Sequence, residues 1–209
     1  MSCWILTDGK VGMVNQCRGL AAVIGVEPQA LAVAREAFAG QVAHLPRPLL
    51  AVLLGGDNSV YKMTTAFSRK LAEDLARIAR SGEWGLAVTP SRRTPDQARR
   101  VIRDALNGTG AVVWDEQGDN PYLGFLAHAD AIVVTFDSVN MVSEAAATGK
   151  PLHVAHLEGG SAKFRRFHDL MESRGISRPF QGRIEQWDYT PPDETTAVAA
   201  EVLRRIAIG

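Results

Sequence analysis

From residue 49 onward, short runs of uninterrupted apolar residues alternate with longer segments in which apolar positions recur every three or four residues. The runs Leu49–Leu54, Gly85–Val88, Ala111–Trp114, Ala131–Val134 and Leu152–Ala155 are short and continuous, which predicts strands covered on both faces. Between and after them, helical periodicity predicts helices over Ser59–Ser81, Pro95–Leu106, Pro121–His128, Ser138–Thr148 and Ser161–Arg174. The Pro- and Gly-containing stretch 175–193 reads as irregular, and Glu194–Ala207 as a closing helix. Such alternation implies the α/β class: a Rossmann-like, mainly parallel sheet of about five or six strands with helices on both faces.

Upstream, Trp4–Thr7 reads as a short strand, Val14–Ile24 as a helix stopped by Gly25, and the Ala-rich stretch from Glu27 to His44 as partly helical. Leu45-Pro46-Arg47-Pro48 punctuates the chain, so the expected division is residues 1–45 as a short amino-terminal appendage and 46–209 as the main domain.

Three apolar runs end in loops of glycine, hydroxyl and amide residues that lead into a helix: Gly55-Gly56-Asp57-Asn58-Ser59, Thr89-Pro90-Ser91-Arg92-Arg93-Thr94-Pro95 and Thr135-Phe136-Asp137-Ser138. In a parallel sheet these loops emerge at the carboxyl edge, where helix amino termini offer unpaired N–H groups and partial positive charge to an anion. Thr94 is expected to cap its helix, with Pro95 in the first position and Gln97 closing a capping box. Arg92 and Arg93 could fork onto phosphate oxygens, the alternative being solvated surface charge.

Asn140 and Glu144 are four apart and share a helix face, so Glu144 could accept both hydroxyls of a ribose and place a diphosphate near Ser138. Plain capping by Asp137 or Ser138, with Glu144 as a dipole partner, is the alternative. Gly159-Gly160-Ser161 ahead of Lys163, Arg165 and Arg166 forms another candidate anion cradle, or a basic solvated face. Asn120 or Asp119 would cap the helix that Tyr122 begins.

Composition narrows the field without choosing within it. Of 209 residues, 46% are hydrophobic and 22% charged, as in a globular domain. Basic and acidic residues number 23 each, so bulk charge argues for neither nucleic acid nor a membrane surface, and any anion site must be local. The two cysteines and five histidines are scattered without metal-ligand spacing, so no metal and no cofactor are expected. The start Met1–Asp8 lacks a secretory pattern and no apolar run approaches membrane-spanning length, so a cytoplasmic location is expected. No G-x-G-x-x-G, G-x-S-x-G or H-E-x-x-H occurs, and Pro151 stands where a P-loop after Gly149-Lys150 needs Ser or Thr.

The stretches Trp4–Lys10, Gly55–Tyr61, Thr89–Pro95, Asp119–Tyr122, Asp137–Glu144 and Lys163–His168, taken in order, resemble bacterial members of the mitochondrial-fission "elongated mitochondria" family. That family resembles GT-B glycosyltransferases, and the resemblance implies that residues 46–209 correspond to the carboxyl-terminal, donor-binding lobe. It implies a nucleoside diphosphate or nucleotide sugar as ligand, with Ser138 and Glu144 near its phosphate and ribose and Gly56, Asn58, Ser91, Arg92 and Arg93 lining the same cleft; Gly55, Ser59, Asn140, Gly160 and Ser161 join the candidate ligand-binding set from the loop and helix-start pattern. Relatives carry a much longer first lobe, so residues 1–45 would be its remnant; they also carry a His where this chain has Met13, which cannot exchange a proton near neutral pH. The readings that follow are a reduced nucleotide-sugar-binding domain, a glycosyltransferase completed by a partner or second protomer, and a non-catalytic interaction module whose shortened first lobe exposes a surface for self-association.

Overall fold

The computed structural model describes residues 30–192 and Arg204. In chain order its elements are α1 (Ala30–Val42), β1 (Leu49–Leu54), β2 (Tyr61–Lys62), α2 (Thr65–Ser81), β3 (Gly85–Pro90), α3 (Asp96–Leu106), β4 (Val112–Val113), α4 (Tyr122–His128), β5 (Ala131–Thr135), α5 (Val139–Ala146), β6 (Leu152–Ala155), β7 (Glu158–Gly159), α6 (Ala162–Ser173) and β8 (Ser177–Pro179). The expected strand Trp4–Thr7 and helix Val14–Ile24 lie outside the described residues, as does Glu194–Ala207 apart from Arg204, which is helical.

Six strands form one sheet in the order β4-β3-β1-β5-β6-β8, every pairing parallel. This is the Rossmann-like arrangement that the alternating pattern predicts. Alternate residues of each strand feed two apolar layers, because a strand's side chains switch faces at every step. Leu50, Val52, Leu86, Val88 and Val133 pack beneath Leu71 and Leu75 of α2 and Ile102 and Leu106 of α3. Leu49, Ala51, Leu53, Ile132, Val134 and Leu152 meet Val42 of α1, Phe125 of α4, Val142 and Ala145 of α5 and Met171 of α6. All six residues of β1 are buried, as its central position requires.

Beyond shifts of one or two residues at element ends, three features differ from the sequence reading. The second helix starts at Thr65 rather than Ser59, because Asn58 Oδ1 accepts the Val60 and Tyr61 N–H groups (2.8 Å each) and Asp57 Oδ1 accepts that of Met63 (2.8 Å). Those side chains hold residues 58–63 in a turn, and Tyr61 and Lys62 pair antiparallel with Gly159 and Glu158. Thr64, whose hydroxyl accepts from Phe67 N, is the actual cap. In the third helix Pro95, not Thr94, is the capping residue, with no side-chain bond, since the Thr94 hydroxyl is engaged elsewhere. Ser177–Pro179, expected to be irregular, forms edge strand β8 on β6, a position that tolerates proline.

Candidate functional site

β1 is central: the chain leaves it for β3 and β4 on one side and returns to β5 on the other, which makes the space above β1 and β5 a topological switch point. The base of that crevice is filled by Asp137. Its buried carboxylate accepts from Gly56 N (3.0 Å), Arg93 Nη2 (2.9 Å) and Thr135 Oγ1 (2.7 Å), and Thr135 Oγ1 in turn accepts from Gly55 N (2.7 Å). Asn58 Nδ2 donates to the Asp137 carbonyl (3.1 Å). Burial pushes the Asp137 carboxyl above the usual carboxylate range, and its hydrogen-bond donors and Arg93 oppose that shift.

The glycines of this loop are required by packing between loops. A Cβ on Gly55 would lie 2.1 Å from Asp137 Oδ1, and one on Gly56 would lie 2.0 Å from the Arg93 carbonyl oxygen.

A second clamp joins the loops after β1 and β3. Thr94 Oγ1 donates to the carbonyls of Leu54 and Gly55, Ser91 Oγ donates to Gly55 O (3.0 Å), and Asp57 N donates to Arg93 O (3.2 Å). The loops after β1, β3 and β5 therefore meet at one edge, cross-linked through buried polar groups.

Beside this clamp lies an open cavity of about 470 Å³. One wall carries Ser91, Arg92 and Arg93; the facing wall carries Ser138, Asn140 and Glu144 of the α5 amino end, with Asn120 and Tyr122 completing it. Leu54, Pro90, Leu123 and Met141 supply apolar lining. Ser138 caps α5, its oxygen accepting from Met141 N (3.3 Å), so its hydroxyl proton points elsewhere. Glu144 Oε2 accepts from the Tyr122 hydroxyl, and burial first, then the Glu144 charge, pushes the Tyr122 phenol well above its ordinary range. The Arg92 guanidinium is exposed and makes no hydrogen bond or ion pair among the described residues, whereas Arg93 spends one nitrogen on Asp137. The volume and the mix of apolar floor and convergent polar groups suit a small-molecule ligand.

A family model described as mitochondrial fission ELM1 matches residues 13–206. The chain belongs to the mitochondrial fission ELM1 family. It is 34% identical over 187 residues to the mitochondrial fission protein ELM1 of Arabidopsis thaliana, covering 87% of this chain and 43% of that protein. It is 30% identical over 166 residues to the uncharacterized protein RP120 of Rickettsia prowazekii (strain Madrid E), covering 75% of this chain and 47% of that one. The matched region thus spans less than half the length of either relative. Among solved structures, HAL3 from Cryptococcus neoformans aligns with a TM-score of 0.40 at 12% identity, over 77% of this chain and 96% of that one.

Of the twelve residues singled out in the sequence of this ELM1-family chain, Ser91, Arg92, Arg93, Ser138, Asn140 and Glu144 line the one cavity. Gly55, Gly56 and Asn58 lie in the adjoining clamp, and Ser59 is exposed on the same loop. Gly160 and Ser161 stand apart from the cavity lining, at the start of α6.

Sequence reasoning missed three residues that shape the site. In the sequence Asp137 and Thr94 read only as caps, and Arg99 as an ordinary helix residue. Arg99 donates to Ser91 O (3.0 Å) and pairs with Glu116, tying the β3 loop to the segment that leads to Asn120. An acid at a strand exit, in a fold whose other strand-exit loop carries Gly55-Gly56, is the one signal for Asp137 in the sequence; nothing there marks Arg99.

No group of histidine, cysteine or acidic side chains suited to a metal occurs among the described residues. Nor is any helix among them long and apolar enough to cross a membrane.

Proposed function

We propose that this ELM1-family domain binds a nucleoside diphosphate or nucleotide sugar in the cavity between the Ser91–Arg93 loop and the amino end of α5. The observation that carries the reading is that two arginines, a serine-capped helix start and a carboxylate one turn along that helix face a common space of nucleotide size. Arg92 and the outward nitrogens of Arg93 neutralise phosphate oxygens. The Ser138 hydroxyl and the first-turn N–H groups of α5 donate to the same oxygens, and Glu144 accepts ribose hydroxyls beside Tyr122.

Calorimetric titration of UDP, GDP, ADP and representative sugar nucleotides tests the proposal. At least one should bind, and Glu144→Ala and Arg92→Ala should each weaken it by about 10-fold, the worth of one hydrogen bond to a charged group. Absence of binding by all of them, or unchanged affinity in both variants, removes the reading. Transfer of the sugar is a separate step: acceptor-dependent release of nucleoside diphosphate would establish it.

A further inference from the structure

The start of α6 holds a second arrangement that the cavity does not include. β7 pairs with β2, which brings Tyr61 against Gly159 and leaves Gly160 and Ser161 as the lead-in to the helix. The Tyr61 ring is wholly buried, wedged edge-on against Phe136 (5.4 Å between centroids) and Phe164 (5.2 Å). Its hydroxyl nevertheless has no hydrogen-bond partner of good geometry.

The groups that face this hydroxyl are themselves donors. Tyr61 Oη and Arg165 Nη1 are the two nearest polar atoms to the point where a Cβ on Gly160 would stand, at 3.5 and 3.6 Å, and the Ser161 backbone N–H also faces the phenol oxygen. Arg165 is exposed and has no ion pair among the described residues; neither has Lys163, the second residue of the helix. The carboxylate whose charge acts on Tyr61 is that of Asp137, which is already occupied by Gly56, Thr135 and Arg93.

A phenol proton, a guanidinium and a helix amino terminus thus lie together, and the phenol oxygen, the acceptor nearest them, is turned toward the Ser161 N–H. A buried donor without an acceptor is costly, and an oxyanion is the ligand that would take the phenol proton and the guanidinium together beside the helix end. Gly160, at φ +135°, places no side chain between Tyr61 and Arg165, and the nearest atoms to a Cβ there would be at ordinary contact distance.

We infer that the Gly160–Ser161 turn, Tyr61 and Arg165 form a phosphate-type oxyanion site, separate from the Arg92–Glu144 cavity. Because the Tyr61 hydroxyl proton has no acceptor in the fold, Tyr61→Phe keeps both aromatic contacts and removes the hydroxyl alone.

The test is titration of the protein with inorganic phosphate, against chloride at matched ionic strength, followed by the amide signals of Gly160 and Ser161 and by calorimetry. Phosphate should shift those amides saturably; Tyr61→Phe should leave the melting temperature unchanged and weaken phosphate several-fold; Arg165→Ala, a surface change, should weaken it by about 10-fold. Arg92→Ala and Glu144→Ala should leave the phosphate-induced shifts of the Gly160 and Ser161 amides as they are, which keeps this outcome distinct from that of the nucleotide proposal. No saturable shift, or unchanged phosphate affinity in both Tyr61→Phe and Arg165→Ala, overturns the site. Amide shifts produced by UDP alone and abolished in Glu144→Ala would equally overturn it as a separate site.

Discussion

The Asp137 carboxylate shows how much a single side chain decides at the carboxyl edge of this sheet. It is buried, yet it satisfies one backbone N–H, one hydroxyl and one guanidinium that would otherwise lack an acceptor. Asp137→Ala would leave those donors facing a void. Its cost should be about 2–4 kcal/mol, toward the lower end of what breaking a buried charged network costs because Arg93 is partly exposed. Urea unfolding monitored by far-ultraviolet circular dichroism measures that loss; a change below about 0.5 kcal/mol would show that the network contributes little. Asp137→Asn should cost less, since the amide oxygen still accepts one hydrogen bond while its NH₂ faces a donor.

Among elements, the docking of α1 on α4 is set by the absence of a side chain. A Cβ on Gly124 would stand 2.5 Å from the Phe38 Cβ. The opposing atom is fixed to the backbone, so no rotamer change relieves the contact and the two helices must separate. His128 Nε2 lies 2.8 Å from the Arg35 carbonyl across the same junction. Alanine at a helical glycine ordinarily gains about 1 kcal/mol, whereas overpacking costs about 1–3 kcal/mol. Gly124→Ala should therefore lower stability despite its better helix propensity, and a rise in the thermal midpoint would show that α1 can move away freely.

At the scale of the molecule, two buried imidazoles link stability to pH. His153 accepts from Glu185 N at Nε2 (3.2 Å), and His168 stacks on Phe136 with Nε2 3.1 Å from the Phe136 carbonyl. Burial is the main cause that pushes each down to about 4 from an ordinary value of 6.5. Between those values the unfolded chain binds protons that the folded protein does not. The contribution is thus fully present above pH 6.5 and is lost as pH falls toward 4. Unfolding free energy should drop by roughly 2–4 kcal/mol from pH 7 to pH 5, at up to about 1.4 kcal/mol per pH unit for each group. In His168→Gln about half of that pH dependence should vanish, and an unaltered pH profile would show that His168 does not titrate with folding.

The sequence by itself determined the α/β class, four of the five expected strands to within about a residue, and the gathering of three helix-leading loops at one sheet edge. Those features follow from local rules: continuous apolar runs must be covered on both faces, and successive parallel strands carry their outgoing loops to the same edge. The family was legible for the same reason, since its marks are those loops. Tertiary structure alone decided which polar groups remain available to a ligand. Thr94, Asn58 and Asp137 look like caps or ligand contacts in one dimension, yet each is bonded to a loop distant in sequence or to its own turn, while Arg92 opens onto the cavity and Ser138 and Glu144 line it beside partners of their own. β8 was hidden because Ser177-Arg178-Pro179 has no strand pattern and is ordered by pairing with β6. Local pattern fixes what each segment is; the partners of a buried polar atom are chosen by chain folding, because only there do donors and acceptors 40 to 81 residues apart come within bonding distance.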